Sequence, residues 1–434
     1  MSLTATAIVG IFLLIALLLL GVNIGMAMMA VGFVGYAAVV NVDAAVGLLR
    51  TTPAAQAASY TMTVIPLFII MGNFAFAAGM SAGLYNAGNK WLSRLPGGLA
   101  CATVAACAAF GAICGSTNAT TATMGTVAIP EMRKYGYSDR LSTGCVSVGG
   151  GLGIMIPPSS CMIIYGIAAE QSIGRLFAAG ILPGIVVAVI LIITIVIQVK
   201  LDPSLAPPTG KYSLRERLAS LKGLADVFVL FVGVFALMFS GVFTINEAAA
   251  AGAFLAMMIC LAKRVFNWRM FRQVMFDSIK TTAMTYLIVI GAMVFGNFLA
   301  ITRLPMNLAA TIETLSVSRY LIFACIIVIY AILGCFMDAL PMIMLTVPIF
   351  LPVILNLGFD PIWFGVIIIL VMMMGLITPP VGMNCYVMSG IAKDVPLSTI
   401  FRGAIPYTFS LLIGILIVTL VPGLATWLPT RIYG

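Results

Sequence analysis

A few residues able to hold a small ligand sit deep inside apolar sequence. The first group is Gly115-Ser116-Thr117-Asn118-Ala119-Thr120-Thr121, and the second is Gly153-Ile154-Met155-Ile156-Pro157-Pro158-Ser159-Ser160. Two further groups echo them: Gly334-Cys335-Phe336-Met337-Asp338 and Gly375-Leu376-Ile377-Thr378-Pro379-Pro380-Val381-Gly382-Met383-Asn384. A constant offset of 222 residues pairs Ser116 with Asp338, Pro130 with Pro352, Gly153 with Gly375 and Pro157 with Pro379. A Pro-Pro pair removes two backbone donors, and its first member disfavours helix at the preceding residue. A helix must therefore unwind at each pair. The carbonyls of Gly153, Ile156, Gly375 and Thr378 then lose their helical partners. Such carbonyls, with the hydroxyls of Ser116, Ser159 and Thr378, suit a small hard cation. The helix that restarts beyond each pair offers N–H groups and a positive dipole end, which suit a carboxylate. Asp338 is the one acid deep in an apolar segment, and an acid at that depth reads by default as functional.

Each feature also has a plainer explanation. Ser116 and Asn118 could only cap a helix end, and Asp338 could do the same. Two kinks could coincide, but both breaks fall at matched positions. The run Met372–Met374 reads as packing, and the nine scattered cysteines as small core residues without CxxC spacing.

These residues need elements to position them. The chain is 62% hydrophobic and 8% charged over 434 residues, which predicts an all-α polytopic membrane protein. Open sheet edges are not tolerated in lipid. The first apolar run lacks a basic leader and reads as a retained span. Scaffold spans, Ala5–Val22 and Ile24–Val40, are expected within residues 1–59. A first repeat, 60–170, holds a span Tyr60–Met80, an interfacial helix Ala82–Leu95, a re-entrant hairpin over 97–131 and a broken helix over 141–169. Residues 171–280 hold the span Phe177–Val199, a polar linker Lys200–Lys222, two scaffold spans and the basic amphipathic segment Lys263–Lys280. A second repeat, 281–392, starts with the span Thr281–Ile301 and the short stretch Leu304–Leu315. Its hairpin is expected over 319–353 and its broken helix over 362–390. A C-terminal span lies within 393–434.

The basic residues give orientation. Arg133, Lys134 and Arg140 follow the first hairpin, whereas the equivalent loop Leu355–Pro361 has no Lys or Arg. Lys263–Lys280 has five basic residues, whereas its partner Thr51–Tyr60 has none. By the positive-inside rule, equivalent loops prefer opposite sides, the pattern of two inverted repeats. Arg303 and Arg319 run against it. The net charge of +9 reads as cytoplasmic anchoring, with no nucleic-acid partner.

The stretches Phe110–Thr120, Gly153–Pro158 with Ile163-Ile164-Tyr165-Gly166, Gly334–Asp338 and Gly375–Asn384 resemble the large membrane subunit of the tripartite ATP-independent periplasmic (TRAP) transporters. The resemblance spans nearly the whole chain. It implies a sodium-coupled elevator importer of carboxylates (a C4-dicarboxylate, sialic acid or another organic acid) in the bacterial inner membrane. It also implies a small four-helix membrane subunit and a periplasmic substrate-binding protein as partners. Sodium would be the coupling ion, with no other cofactor and no transition metal. The resemblance places sodium at Ser116, Asn118, Gly153, Ile156, Gly334, Gly375, Thr378 and Val381. Substrate binding or gating is expected of Thr120, Pro157, Pro158, Ser159, Asp338, Pro379, Pro380 and Asn384. Asn118 and Pro341 depart from the usual pattern. No four-helix extension is evident, so the small subunit is expected as a separate chain.

A binding-protein-independent sodium/dicarboxylate symporter is the nearest alternative. A membrane enzyme is remote: the chain has no histidine, no acid pair and no Ser/Lys dyad. A proton-pumping subunit would need Lys and Glu in mid-span. With no mid-membrane Arg to clamp a carboxylate, substrate choice is expected to reside in the binding protein.

Overall fold

The computed structural model describes residues 2–208, 210, 212–314 and 317–434, apart from the side chains of Leu19 and 312–314. Among the described residues all regular structure is helical. Seven helices are long and apolar enough to cross a membrane, or eight if the bent pair Asp139–Met155 and Ser160–Ala168 is one span.

The centre is built from the two broken spans. The first comprises Asp139–Met155 and Ser160–Ala168, bent by 44°. The second is the 15-residue apolar helix Pro361–Gly375, counted apart from those eight, followed beyond residues 376–382 by Met383–Ile391. Leu141 to Met155 is buried without interruption, and so is Ile362 to Met373. A helix apolar all round belongs inside other helices. Close approach there needs small residues. A Cβ at Gly151 would meet the Met373 side chain at 2.6 Å, and one at Gly149 would meet Cys107 Sγ at 2.9 Å.

The two broken spans run antiparallel. Arg133 pairs with Asp139, at the start of the first, at 2.7 Å, and with Asp394, just past the end of the second, at 2.8 Å. The Arg133 guanidinium holds the Asp394 carboxyl below its usual range. At the other end the Tyr165 hydroxyl donates to the Pro361 carbonyl.

Around this centre stand the hairpins Gly98–Cys114/Thr117–Lys134 and Arg319–Gly334/Ala339–Asn356. The first turns at Gly115, whose φ of +64° favours glycine. The long span Ile173–Leu201 and the span Leu397–Leu420 flank the broken helices. Leu3–Leu19, Ile24–Val39, Val64–Ala77, Ala225–Phe239 and Ile245–Ala262 lie outside, with the 35-residue helix Trp268–Thr302. Ile24–Val39 packs along that long helix, where Gly25 meets Gly291 backbone to backbone.

Several expected boundaries move. Lys263–Lys280 is not a separate interfacial segment: from Trp268 it runs unbroken into the following span. Residues 42–57, assigned no element in the sequence, form a helix capped by Asn41, whose side chain accepts from Ala44 N at 2.7 Å. A terminal helix, Gly423–Tyr433, follows the last span. The linker contains the helix Leu214–Ser220, started by a Ser213/Glu216 capping box. The interfacial helix is observed over Met80–Leu92. The expected Leu304–Leu315 is helical over Leu304–Thr314, and Leu315 lies outside the described residues.

Candidate functional site

Each hairpin tip lies against the break of its own repeat. At the first junction the Gly115 carbonyl accepts from Ser160 N at 3.3 Å and from Ser160 Oγ at 2.7 Å. A Cβ at Gly115 would come within 2.7 Å of the Pro158 carbonyl oxygen, so this glycine serves both turn and contact. A Cβ at Gly153 would come within 2.8 Å of Thr120 Oγ1 and 2.9 Å of the Ser116 carbonyl oxygen. Ser116, Thr120 and Gly153 are thereby brought together, with the backbone of hairpin and span in contact. The position four residues beyond Gly153 is Pro157, which has no N–H to donate. The buried Asn118 Oδ1 has no hydrogen-bond partner among the described residues.

The second junction repeats the contact with different atoms. Val381 N donates to the Cys335 carbonyl at 3.2 Å. Gly375 crosses Gly334 so closely that a Cβ on Gly375 would lie 2.5–2.7 Å from the Gly334 backbone. Thr378 Oγ1 donates to the Met374 carbonyl at 2.7 Å, leaving its oxygen lone pairs available. Gly382 turns the chain at φ +57°, and Asn384 N donates to the Leu376 carbonyl at 3.0 Å. Both Pro-Pro bonds, Pro157-Pro158 and Pro379-Pro380, are cis.

Asn384 ties the two junctions together. Its side-chain amide donates to the Ser147 carbonyl of the first broken span at 3.0 Å, while its buried Oδ1 has no partner. The second half of each broken span packs on the other repeat's hairpin: Met383–Ile391 on Thr117–Lys134, and Ser160–Ala168 on Ala339–Asn356.

Some expectations need correction. The Gly375 carbonyl is partly engaged: the chain tightens and Thr378 N donates to it at 3.0 Å, which leaves one lone pair. The Ser159 hydroxyl is spent within its own break: it donates to the Ile154 carbonyl and accepts from Met162 N at 3.3 Å. Asp338, read both as a possible cap and as a functional acid, accepts from Ala339 N at 2.8 Å. Ser147, Ser160 and Cys335 belong to the junctions but were not among the expected residues. Ser147 and Cys335 take part through backbone carbonyls, which side-chain chemistry does not announce; Ser160 donates its hydroxyl as well, a signal present in the sequence.

A helical, multi-pass chain with two such junctions at its centre is a membrane transport protein by build. Residues 11–424 match the family model for the tripartite ATP-independent periplasmic transporter, DctM component. The chain is 36% identical, over 85% of its length and 86% of the relative's, to the C4-dicarboxylate TRAP transporter large permease protein DctM of Pseudomonas aeruginosa. It is 31% identical, over 87% and 88%, to the sialic acid TRAP transporter large permease protein SiaM of Vibrio cholerae. It is 34% identical to the isethionate TRAP transporter permease protein DctMQ of Oleidesulfovibrio alaskensis, covering 84% of this chain and 58% of that protein. The crystal structure of the Alcanivorax borkumensis YdaH transporter shares the fold, with a TM-score of 0.61 over 90% of each chain at 14% identity. The chain belongs to the DctM family of TRAP transporter large permeases.

Proposed function

We propose that this chain imports a small organic acid across the bacterial inner membrane, driven by sodium and supplied by a periplasmic binding protein. C4-dicarboxylates and sialic acid, the acids named for two relatives, fall within that class. A small membrane subunit completes the complex. The observation that carries the proposal is the paired junction: a hairpin tip seated on a Pro-Pro break, twice, in antiparallel spans.

One sodium site draws on Ser116, Asn118, Gly153 and Ile156, and a second on Gly334, Gly375, Thr378 and Val381. Thr120, Asn384 and Asp338 face the substrate or close over it, and the proline pairs 157–158 and 379–380, with Ser159, keep the breaks open for it. The two halves act as inverted repeats, related by a pseudo-two-fold axis in the membrane plane. Their hairpins enter from opposite faces. The hairpins and broken spans then move as one body against a surround that includes the long helix Trp268–Thr302, exposing one face at a time.

The test is uptake into proteoliposomes containing the chain and its small subunit, with the binding protein and labelled acid outside. An inward sodium gradient should drive uptake, and an equal potassium gradient should not. Uptake indifferent to sodium would reject the coupling. Full uptake without the binding protein would instead identify a binding-protein-independent symporter.

A further inference from the structure

A cavity lies away from the junctions, where hairpin, long span and linker meet. Its volume is about 830 Å³, and its walls include Leu95, Pro96, Val199 and Pro207. Arg94 and Lys200 also line it, and neither pairs with a carboxylate among the described residues. The nearest acid along the chain, Asp202, is taken up by Ser204, which donates to it from both N and Oγ. The wall is built, not incidental. Ser138 N donates to the Leu205 carbonyl at 2.9 Å, pinning the linker over the loop between hairpin and broken span. A Cβ at Gly97 would touch Ile195 and Val199 at 2.9 and 3.0 Å, so the hairpin base is pressed onto the long span.

The cavity sits at the level where the chain leaves the hydrocarbon. Lys200 is in the last turn of the 29-residue apolar helix Ile173–Leu201, and Leu201 beside it is 81% exposed. Trp91 and Leu95, flanking Arg94, are also exposed. Exposed Trp beside basic residues is the signature of a membrane–water interface. Two unpaired cations over apolar walls at that depth match a phosphate on a lipid better than a free ion, because acyl chains can occupy the apolar part. Basic pockets between spans on the cytoplasmic side are a known setting for anionic lipid headgroups.

We propose that this cavity binds one anionic phospholipid, its phosphate held by Arg94 and Lys200 and its glycerol end against Leu95 and Val199. The lipid would fill the seam between the first hairpin's base and the long span.

The test uses the full chain in detergent and native mass spectrometry, with phosphatidylglycerol, phosphatidylethanolamine or inorganic phosphate added. The wild type should retain one phosphatidylglycerol in preference to phosphatidylethanolamine. Arg94→Gln with Lys200→Gln should weaken that retention by roughly 30-fold, the loss of two near-surface attractions. The charge-keeping pair Arg94→Lys with Lys200→Arg should restore it, which separates lost binding from lost folding. Lys90→Gln with Arg140→Gln removes equal charge elsewhere and should bind as the wild type does. Equal retention by the Gln pair, or equal loss in the Lys90/Arg140 control, overturns the proposal. Inorganic phosphate that binds with the same dependence on Arg94 and Lys200 would make this a free-anion site and overturn the lipid assignment.

Discussion

Gly375→Ala and Gly334→Ala probe one crossing from its two sides, and the geometry makes them unequal. A Cβ on Gly375 would lie 2.5 Å from Gly334 C, 2.6 Å from its Cα and 2.7 Å from its O. A Cβ on Gly334 would meet Gly375 Cα at 3.3 Å and the Met342 side chain at 3.6 Å or more. Backbone cannot step aside as a side-chain end can. Reaching ordinary contact at 3.4 Å would push the second hairpin tip back by about 0.9 Å, an overpacking that costs roughly 1–3 kcal/mol. Replacing a helical glycine by alanine returns about 0.4–1 kcal/mol. Gly375→Ala should thus be destabilising by about 1–2 kcal/mol, and Gly334→Ala close to neutral. The Val381 N to Cys335 O bond, 3.2 Å long, lies on the displaced tip; a retreat of that size would stretch it to about 4 Å, beyond hydrogen bonding. Gly375→Ala should therefore lose sodium-driven uptake while still folding, and Gly334→Ala should keep it. Thermal unfolding in detergent and proteoliposome uptake measure the two effects separately. Wild-type transport by Gly375→Ala, or a worse defect in Gly334→Ala, would refute the reasoning.

Thr378→Val keeps shape but removes the hydroxyl that donates to Met374 O at 2.7 Å. It should raise the sodium concentration for half-maximal uptake by roughly fivefold to tenfold, the worth of about one polar contact, and Thr378→Ser should not; an unchanged sodium response removes Thr378 from the ligands. Asp338→Asn retains an oxygen for the cap on Ala339 N, so thermal stability should change by less than about 1 kcal/mol. Uptake should nevertheless fall, because the charge is lost where polar groups are scarce; uptake at the wild-type level would reduce Asp338 to a helix cap.

What was legible in the sequence was the set of helix breakers. Gly115, Pro157, Pro158, Pro379 and Pro380 dictate backbone, and backbone sets the hairpins and broken spans to within a few residues. The elements that went unread carry a different signal. Residues 42–57 hold Asp43, Arg50, Pro53 and Gln56 and an apolar run of only Ala44–Leu49, too short for a span, so the Asn41 cap was the main signal of the helix. The long helix Trp268–Thr302 was divided at Lys280 because the charges end there, but a helix has no reason to stop where its solvent changes. Arg319 sat on the wrong side for the charge rule; the structure places its guanidinium 5.0 Å from the Tyr320 ring centre and 5.5 Å from that of Phe359. A cation stacked on aromatic rings is satisfied where it stands.

Contacts between the repeats were beyond reach of any periodicity, and they decide how the site is held. Met383–Ile391 belongs to the second repeat in sequence but packs on the second arm of the first hairpin, where a Cβ on Gly125 would strike the Met388 and Ile391 side chains. Ser160–Ala168 makes the reciprocal crossing onto Ala339–Asn356. Each junction is local to its repeat, through Gly115 and Ser160 in one and Cys335 and Val381 in the other. Each restarting helix is nevertheless supported by the opposite repeat. Asn384 closes the circuit by reaching from the second break to the Ser147 carbonyl. Each restarting helix therefore has two supports, its own junction and the opposite hairpin, and close-packed helices shift as bodies instead of compressing.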